Sequence, residues 1–227
     1  MAQFIAPKIK MKIGITQQAN ISNKILKLID FIELKQITTQ NYNRFVKYQK
    51  PLLFHLQDFQ ERKMTLLTDK DFIDLVSQDE VQRIIQKSWF PWFSFHLGLP
   101  VKKYILSPQK DYLTKDKPIS EKEFFQEIDY KIKKIKEIYQ NYKILIETSP
   151  LIPNAAYFYV CDPEFVCQLV LENNLFFLLD IGHIIVSAHN LGYKTVEDYL
   201  AKLPLEKTLV NHIHRPRCSK EEKIWRV

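Results

Sequence analysis

Residues 176–183 read FFLLDIGH, and the fold follows from what this short stretch is. Its apolar run is too short for a free-standing helix and has no polar face, so it suits a strand buried on both sides, as in a helix-covered parallel sheet. Six further runs share its length and its aromatic or branched character: Lys12–Thr16, Phe31–Leu34, Leu52–Leu56, Phe93–Leu97, Ile144–Thr148 and Val210–His214, with Phe177–Ile181 the strand inside the opening stretch. Segments of helical period are predicted between them at 20–29, 40–49, 70–88, 121–140, 162–174 and 195–203. Ser120 with Glu121 and Glu123 offers a helix start, as does Asp162-Pro163-Glu164, and Pro204 ends the last helix. Strands alternating with helices imply right-handed crossovers and a parallel sheet. An open doubly wound sheet would bring a glycine-rich loop after the first strand. Here that loop is GITQQANIS, 14–22, with only Gly14. The expected architecture is a TIM-type β/α barrel, one domain over residues 1–227.

Composition agrees with a folded chain. Of 227 residues, 46% are apolar and 26% charged, which excludes a disordered segment. No apolar run approaches the roughly 18 to 20 residues needed to cross a bilayer, and the N-terminus lacks a signal-peptide core. Cys161, Cys167 and Cys218 have no metal-finger spacing, so a reducing, cytoplasmic setting is expected. The net charge of +7 would permit an acidic partner. The densest basic stretch, KIKKIKEIYQNYK at 131–143, has isoleucines at helical spacing and reads as the solvated face of an amphipathic helix. No aromatic-basic strip marks a nucleic-acid track, and neither nucleic acid nor membrane is expected as a partner.

The histidines carry more information. His55 ends LLFH, His96 ends FSFH, His183 ends LLDIGH, His212 and His214 lie in VNHIH, and His189 follows six residues after His183. None falls in a predicted helix. Glu147 in ILIET, Asp180 in LLDIGH and Glu33 in FIEL stand at comparable places. In a β/α barrel the C-terminal strand ends converge on one mouth. Burying so many ionisable groups there would cost several kcal/mol each without compensation, whereas metal ions take imidazoles and carboxylates as ligands. The expected metal ligands are His55, His96, Glu147, Asp180, His183 and His212. Asp180, His183 and His214 are the candidate catalytic residues. His212 and His214, two apart, share one strand face, so both reach the site or the outer one touches substrate. Taken singly, each has a plainer reading: a buried histidine bonded to backbone, an Asp180 that caps a helix, a Glu147 paired with lysine, a Trp89–Trp92 cluster that only packs. The absence of cysteine from the set argues against a closed structural zinc site.

The stretch LLDIGHIIVSAHNLGYKTVEDYLAKLPLEKTLVNHIHRPR, 178–217, resembles the multinuclear non-haem iron-dependent oxidase family, barrels of the xylose-isomerase-like superfamily. PLLFHLQ, FSFHLGL and ILIETS resemble the family's two histidine strands and its glutamate strand. The resemblance implies that two or three iron ions activate dioxygen to oxidise cysteine-containing residues of a ribosomally made peptide, often with a partner protein. It implies that His55, His96 and Glu147 hold one iron, that Glu147 bridges to a second held by Asp180 and His212, and that His183 serves a third. Relatives continue into an eighth strand that bears a further glutamate ligand. This sequence ends at CSKEEKIWRV, so a barrel of about seven strands, incomplete at the C-terminus, is expected, with a homodimer or another chain completing it. Zinc or manganese remain alternatives to iron. Sugar isomerisation, AP-endonuclease-like hydrolysis, and a non-catalytic barrel acting as a binding subunit remain alternatives to oxidation.

Overall fold

The computed structural model describes residues 12–58, 65–88, 90–107, 111–213, 216–218 and 225–226. Seven of its strands form one parallel sheet: β1 (Gly14–Thr16), β2 (Phe31–Gln36), β3 (Leu52–Asp58), β4 (Trp92–His96), β7 (Lys143–Glu147), β8 (Phe176–Asp180) and β9 (Thr208–His212), in the order β1-β2-β3-β4-β7-β8-β9. The order follows the chain, as in a barrel, and each predicted strand is present. Two short antiparallel pairs stand apart: β5 (Ile105–Leu106) with β6 (Tyr112–Leu113), and β10 (Arg217–Cys218) with β11 (Trp225–Arg226). The sheet curls into a half-barrel. His212 on its last strand reaches Glu33 on its second at 2.7 Å.

The period of two along each strand sorts the side chains. Phe54, Leu56, Phe93, Phe95, Ile144, Ile146, Phe177 and Leu179 join one large apolar cluster with the helices outside the sheet. Their neighbours Leu53, Leu145 and Leu178 are also buried but stand outside that cluster, on the inner face. His55, His96, Glu147 and Asp180 share this inner face, one step nearer the C-terminal end than those leucines. The register sets His96 beside Glu147 and Asp180 beside His212.

The outer layer contains α1 (Asn23–Leu26), α2 (Thr39–Val46), α3 (Phe72–Val76), α4 (Asp79–Ile85), α5 (Glu121–Ile138), α6 (Pro163–Glu172), α7 (Ile181–Asn190) and α8 (Val196–Leu200). The expected helix at 70–88 is two helices, broken at Ser77–Gln78. Ser120 and Glu123 form a reciprocal capping box at the start of α5, worth about 1 kcal/mol. Asp162 precedes Pro163 at the first position of α6 but makes no side-chain cap hydrogen bond.

Two expectations need correction. No helix is predicted between 174 and 195, yet helix α7 starts directly after β8, capped by Asp180, and carries His183 on its first turn and His189 on its last. The apolar stretch IGHIIVSA continues the strand's hydrophobicity without a break and so hides the boundary. Lys131, read as part of a solvated face, is buried instead. Its Nζ donates to the carbonyls of Leu67 (2.9 Å) and Asp69 (3.0 Å) and pairs with Glu127 at 3.2 Å.

Gly98, just beyond His96, has φ +104°, and a Cβ there would lie 2.3 Å from Thr68 Oγ1. Gly98→Ala is expected to destabilise the protein by about 2 kcal/mol through this strain. A lower urea midpoint with unchanged slope would show it, and an unchanged midpoint would contradict it.

Candidate metal centre

Three adjacent strands build the first half of the site. His55 lies opposite Ser94 and His96 opposite Glu147 in the sheet register. Ser94, two residues before His96 and therefore on the same face, holds His55 through Nδ1–Oγ at 2.8 Å. That leaves His55 Nε2 facing inward, 3.3 Å from His96 Nε2 and 3.2 Å from Glu147 Oε2. The remaining separation, His96 Nε2 to Glu147 Oε2, is 3.8 Å. A cation bonded at about 2.0–2.2 Å to nitrogen and oxygen spaces its ligand atoms roughly 3 to 3.6 Å apart, so the triad is close to ligating geometry.

Electrostatics point the same way. Burial, followed by neighbouring imidazoles, pushes His55 and His96 well below the usual histidine range, so both are neutral. Burial pushes the Glu147 carboxyl up to about 8. His96 Nδ1 and Glu147 Oε2 are buried with no hydrogen-bond partner. Glu147 Oε2 therefore sits near two imidazole nitrogens without bonding either. His55 Nε2, His96 Nε2 and Glu147 Oε2 thus converge on one buried spot, a grouping that could hold a metal ion.

The second half comes from β8, α7 and β9. Asp180 caps α7, with Oδ1 accepting from the His183 backbone N–H at 2.9 Å. The plain reading of Asp180 as a cap is correct, but it occupies only one oxygen. Its Oδ2 lies 3.9 Å from His183 Nε2 and 3.8 Å from His212 Nδ1. His183 Nδ1 stands 2.7 Å from the Thr148 carbonyl and 3.1 Å from Glu147 Oε1. His212 Nδ1 is 3.9 Å from Glu147 Oε1, and its Nε2 is hydrogen-bonded to Glu33. Burial alone would lower the His212 imidazole, but the bond to Glu33 and the carboxylates of Glu33, Glu147 and Asp180 raise it to about 9.

Two groups of potential ligands result, His55–His96–Glu147 and Glu147–Asp180–His183, each with ligand atoms within 4.8 Å of one another and all residues buried. Glu147 is common to both. The structure thus brings together all six sequence-predicted ligands. His214 and Trp89 lie outside the described residues, and His189 is exposed on α7, away from the site. Trp92 opens β4 at its N-terminal end, opposite the mouth, where it packs against Phe90. Sequence reasoning missed Ser94 and the carbonyl of Thr148. Ser94 had a signal, a polar residue in register with His96 on an apolar strand; a carbonyl has none.

Metal uptake is expected to tighten with pH. A metal-bound Glu147 must be ionised, yet its proton leaves only near pH 8, and a metal on His212 Nδ1 displaces a second proton held to about 9. Each proton displaced weakens binding about tenfold per pH unit below its pKa. Zinc titrations at pH 6 and pH 8 should differ by at least 100-fold in affinity, and equal affinities would contradict the arrangement.

The geometry can be compared with known proteins. No curated protein matches the chain. The solved structure of a D-tagatose 3-epimerase-like protein superimposes with TM-score 0.57 at 16% identity, covering 94% of this chain and 79% of that one. Endonuclease IV from Thermus thermophilus superimposes with TM-score 0.50 at 11% identity, covering 89% and 76%. Both are xylose-isomerase-like TIM barrels, so the curled seven-strand sheet is an incomplete barrel of that kind. Residues 13–223, which include every residue of the site, match the family described as RiPP precursor modification enzyme MbnB/TglH/ChrH, and to that family the chain belongs.

Proposed function

We propose that the chain is an iron-dependent oxidase that uses dioxygen to modify a cysteine-containing ribosomal peptide. Family membership supports the peptide substrate. The donor set of imidazole and carboxylate without thiolate supports a redox-capable or hydrolytic cation over a structural zinc. The observation that carries the reading is the Glu147 carboxylate, buried and shared between two groups of ligands with Oε2 unbonded.

Bound iron would supply dioxygen activation. The chain's own residues provide the setting. His55, His96 and Glu147 would hold one ion, and Asp180, His183 and His212, together with Glu147, would hold a second. Ser94 fixes the His55 ring. Leu53, Leu145 and Leu178 fill the barrel beneath and keep water from below. The β5–β6 pair, which follows β4 in the chain, presents exposed Ile105 and Leu113, apolar side chains that a peptide could contact. Partners belong to the same proposal. β1 and β9 end the sheet and carry its free edges among the described residues, which a second copy or a peptide-delivering protein would cover. No helix of the described residues is long and apolar enough to cross a membrane. The proposed one-domain protein is cytoplasmic, a placement that the free thiols of Cys161 and Cys167 support.

Metal analysis of the purified protein tests the reading. One or more iron per chain with visible absorption, lost on His55→Ala and Glu147→Ala, is expected. Colourless zinc or manganese would transfer the site to isomerase or hydrolase chemistry. Less than one metal per chain, unchanged by either substitution, would remove the basis for catalysis and leave a binding subunit.

A further inference from the structure

We propose that Glu33 is a positioning residue of the second metal position, acting through His212; this rests on the metal-centre reading above. Glu33 lies on β2 and His212 on β9, strands 179 residues apart in sequence that the curl of the sheet brings face to face. The carboxylate can only accept at 2.7 Å, so His212 Nε2 carries its hydrogen there and Nδ1 is the nitrogen left to meet a cation, once its own proton is displaced. Nδ1 faces Asp180 Oδ2 at 3.8 Å and Glu147 Oε1 at 3.9 Å. His183 is set by the same logic in mirror fashion. Its Nδ1 hydrogen goes to the Thr148 carbonyl at 2.7 Å, which leaves Nε2 facing Asp180 Oδ2 at 3.9 Å. One backbone carbonyl and one carboxylate thus turn two ring nitrogens toward a single oxygen.

A hydrogen bond alone does not explain a charged residue here. Glu33 is 6% exposed, and its Oε1 is buried with no hydrogen-bond partner. A glutamine would hold His212 without the desolvation cost that an ionised carboxylate brings. What the charge adds is basicity at the imidazole and attraction for a cation beyond it, as in carboxylate–histidine–metal triads. The rival account is a stitch that merely joins the two ends of the sheet.

Zinc titration of the full chain by calorimetry separates the two accounts, with the His55–His96–Glu147 position as internal control. Glu33→Gln keeps the acceptor and loses the charge, and should weaken the second zinc equivalent about tenfold. Glu33→Ala loses both and should weaken it about 10- to 100-fold, with the first equivalent nearly unchanged. In ¹⁵N-histidine spectra of the zinc-loaded wild type, His212 should carry metal on Nδ1 and hydrogen on Nε2. Equal weakening of both equivalents alongside a lower melting temperature would mean a structural stitch and overturn the proposal. No weakening of either, or zinc on Nε2, would also overturn it. A wild type that binds no zinc, iron or manganese would sink the metal-centre reading and this proposal with it.

Discussion

Glu147→Gln is expected to weaken metal binding by at least 100-fold while leaving the metal-free protein as stable as the wild type or more so. The carboxylate is the member common to both ligand groups, with Oε2 turned to His55 and His96 and Oε1 to His183 and His212. Glutamine keeps the volume but removes the charge and puts N–H donors where a cation should stand. A 100-fold loss corresponds to about 2.7 kcal/mol. The opposite sign in the metal-free protein comes from linkage. The folded-state carboxyl is raised to about 8 from 4.5 in the unfolded chain. Folding therefore binds a proton across that window, and this group lowers stability as pH climbs from about 4.5 to 8. At neutral pH the penalty is on the order of 2 to 4 kcal/mol, and glutamine does not incur it. Melting curves without metal should show the variant ahead of wild type at pH 8 and level with it near pH 5; added metal should raise wild type alone. A variant less stable than wild type at pH 8 without metal would show that Glu147 is a structural partner.

Lys131→Met should cost about 2 to 4 kcal/mol and loosen the first metal position as well. Its ammonium is the partner of two loop carbonyls, Leu67 and Asp69, and methionine of similar length leaves both without it. The same loop is bonded to the strand end that carries the site. Leu67 N–H donates to the His96 carbonyl at 3.0 Å, and Leu66 bridges to His96. Unclamping the loop frees the His96 backbone, and geometry 1 Å looser is enough to weaken a preorganised site. Urea unfolding and zinc affinity measured on one preparation check both effects. A full loss of stability with unaltered affinity would separate the clamp from the centre.

Much of this was legible in the residues, for physical reasons that differ from place to place. The strands were plain because a sheet buried on both faces leaves continuous apolar runs, as in FFLLD and ILIE. The ligand set was plain because its histidines and acids close apolar strands, whereas the part played by Ser94, which shares the face of His96, and the register that sets Glu147 opposite appear only in the folded sheet. Helix α7 was hidden, since its buried residues Ile184, Val186 and Ala188 extend the apolar character of β8 without a polar break. The role of Lys131 was hidden for a different reason. Its place after Ile128 and before Ile135 puts it on their buried helix face, but its partners there are carbonyls, which have no sequence signature. The Glu33–His212 contact depends on how far an open sheet curls, a property of the whole molecule.

Anomalous diffraction from crystals grown with ferrous iron under anaerobic conditions tests the central claim most directly. The account predicts a peak about 2.0–2.3 Å from His55 Nε2, His96 Nε2 and Glu147 Oε2, with a second beside Asp180 Oδ2 and His212 Nδ1. Iron found only at the protein surface, with the imidazoles and carboxylates of the mouth bonded to one another and to water, would contradict it.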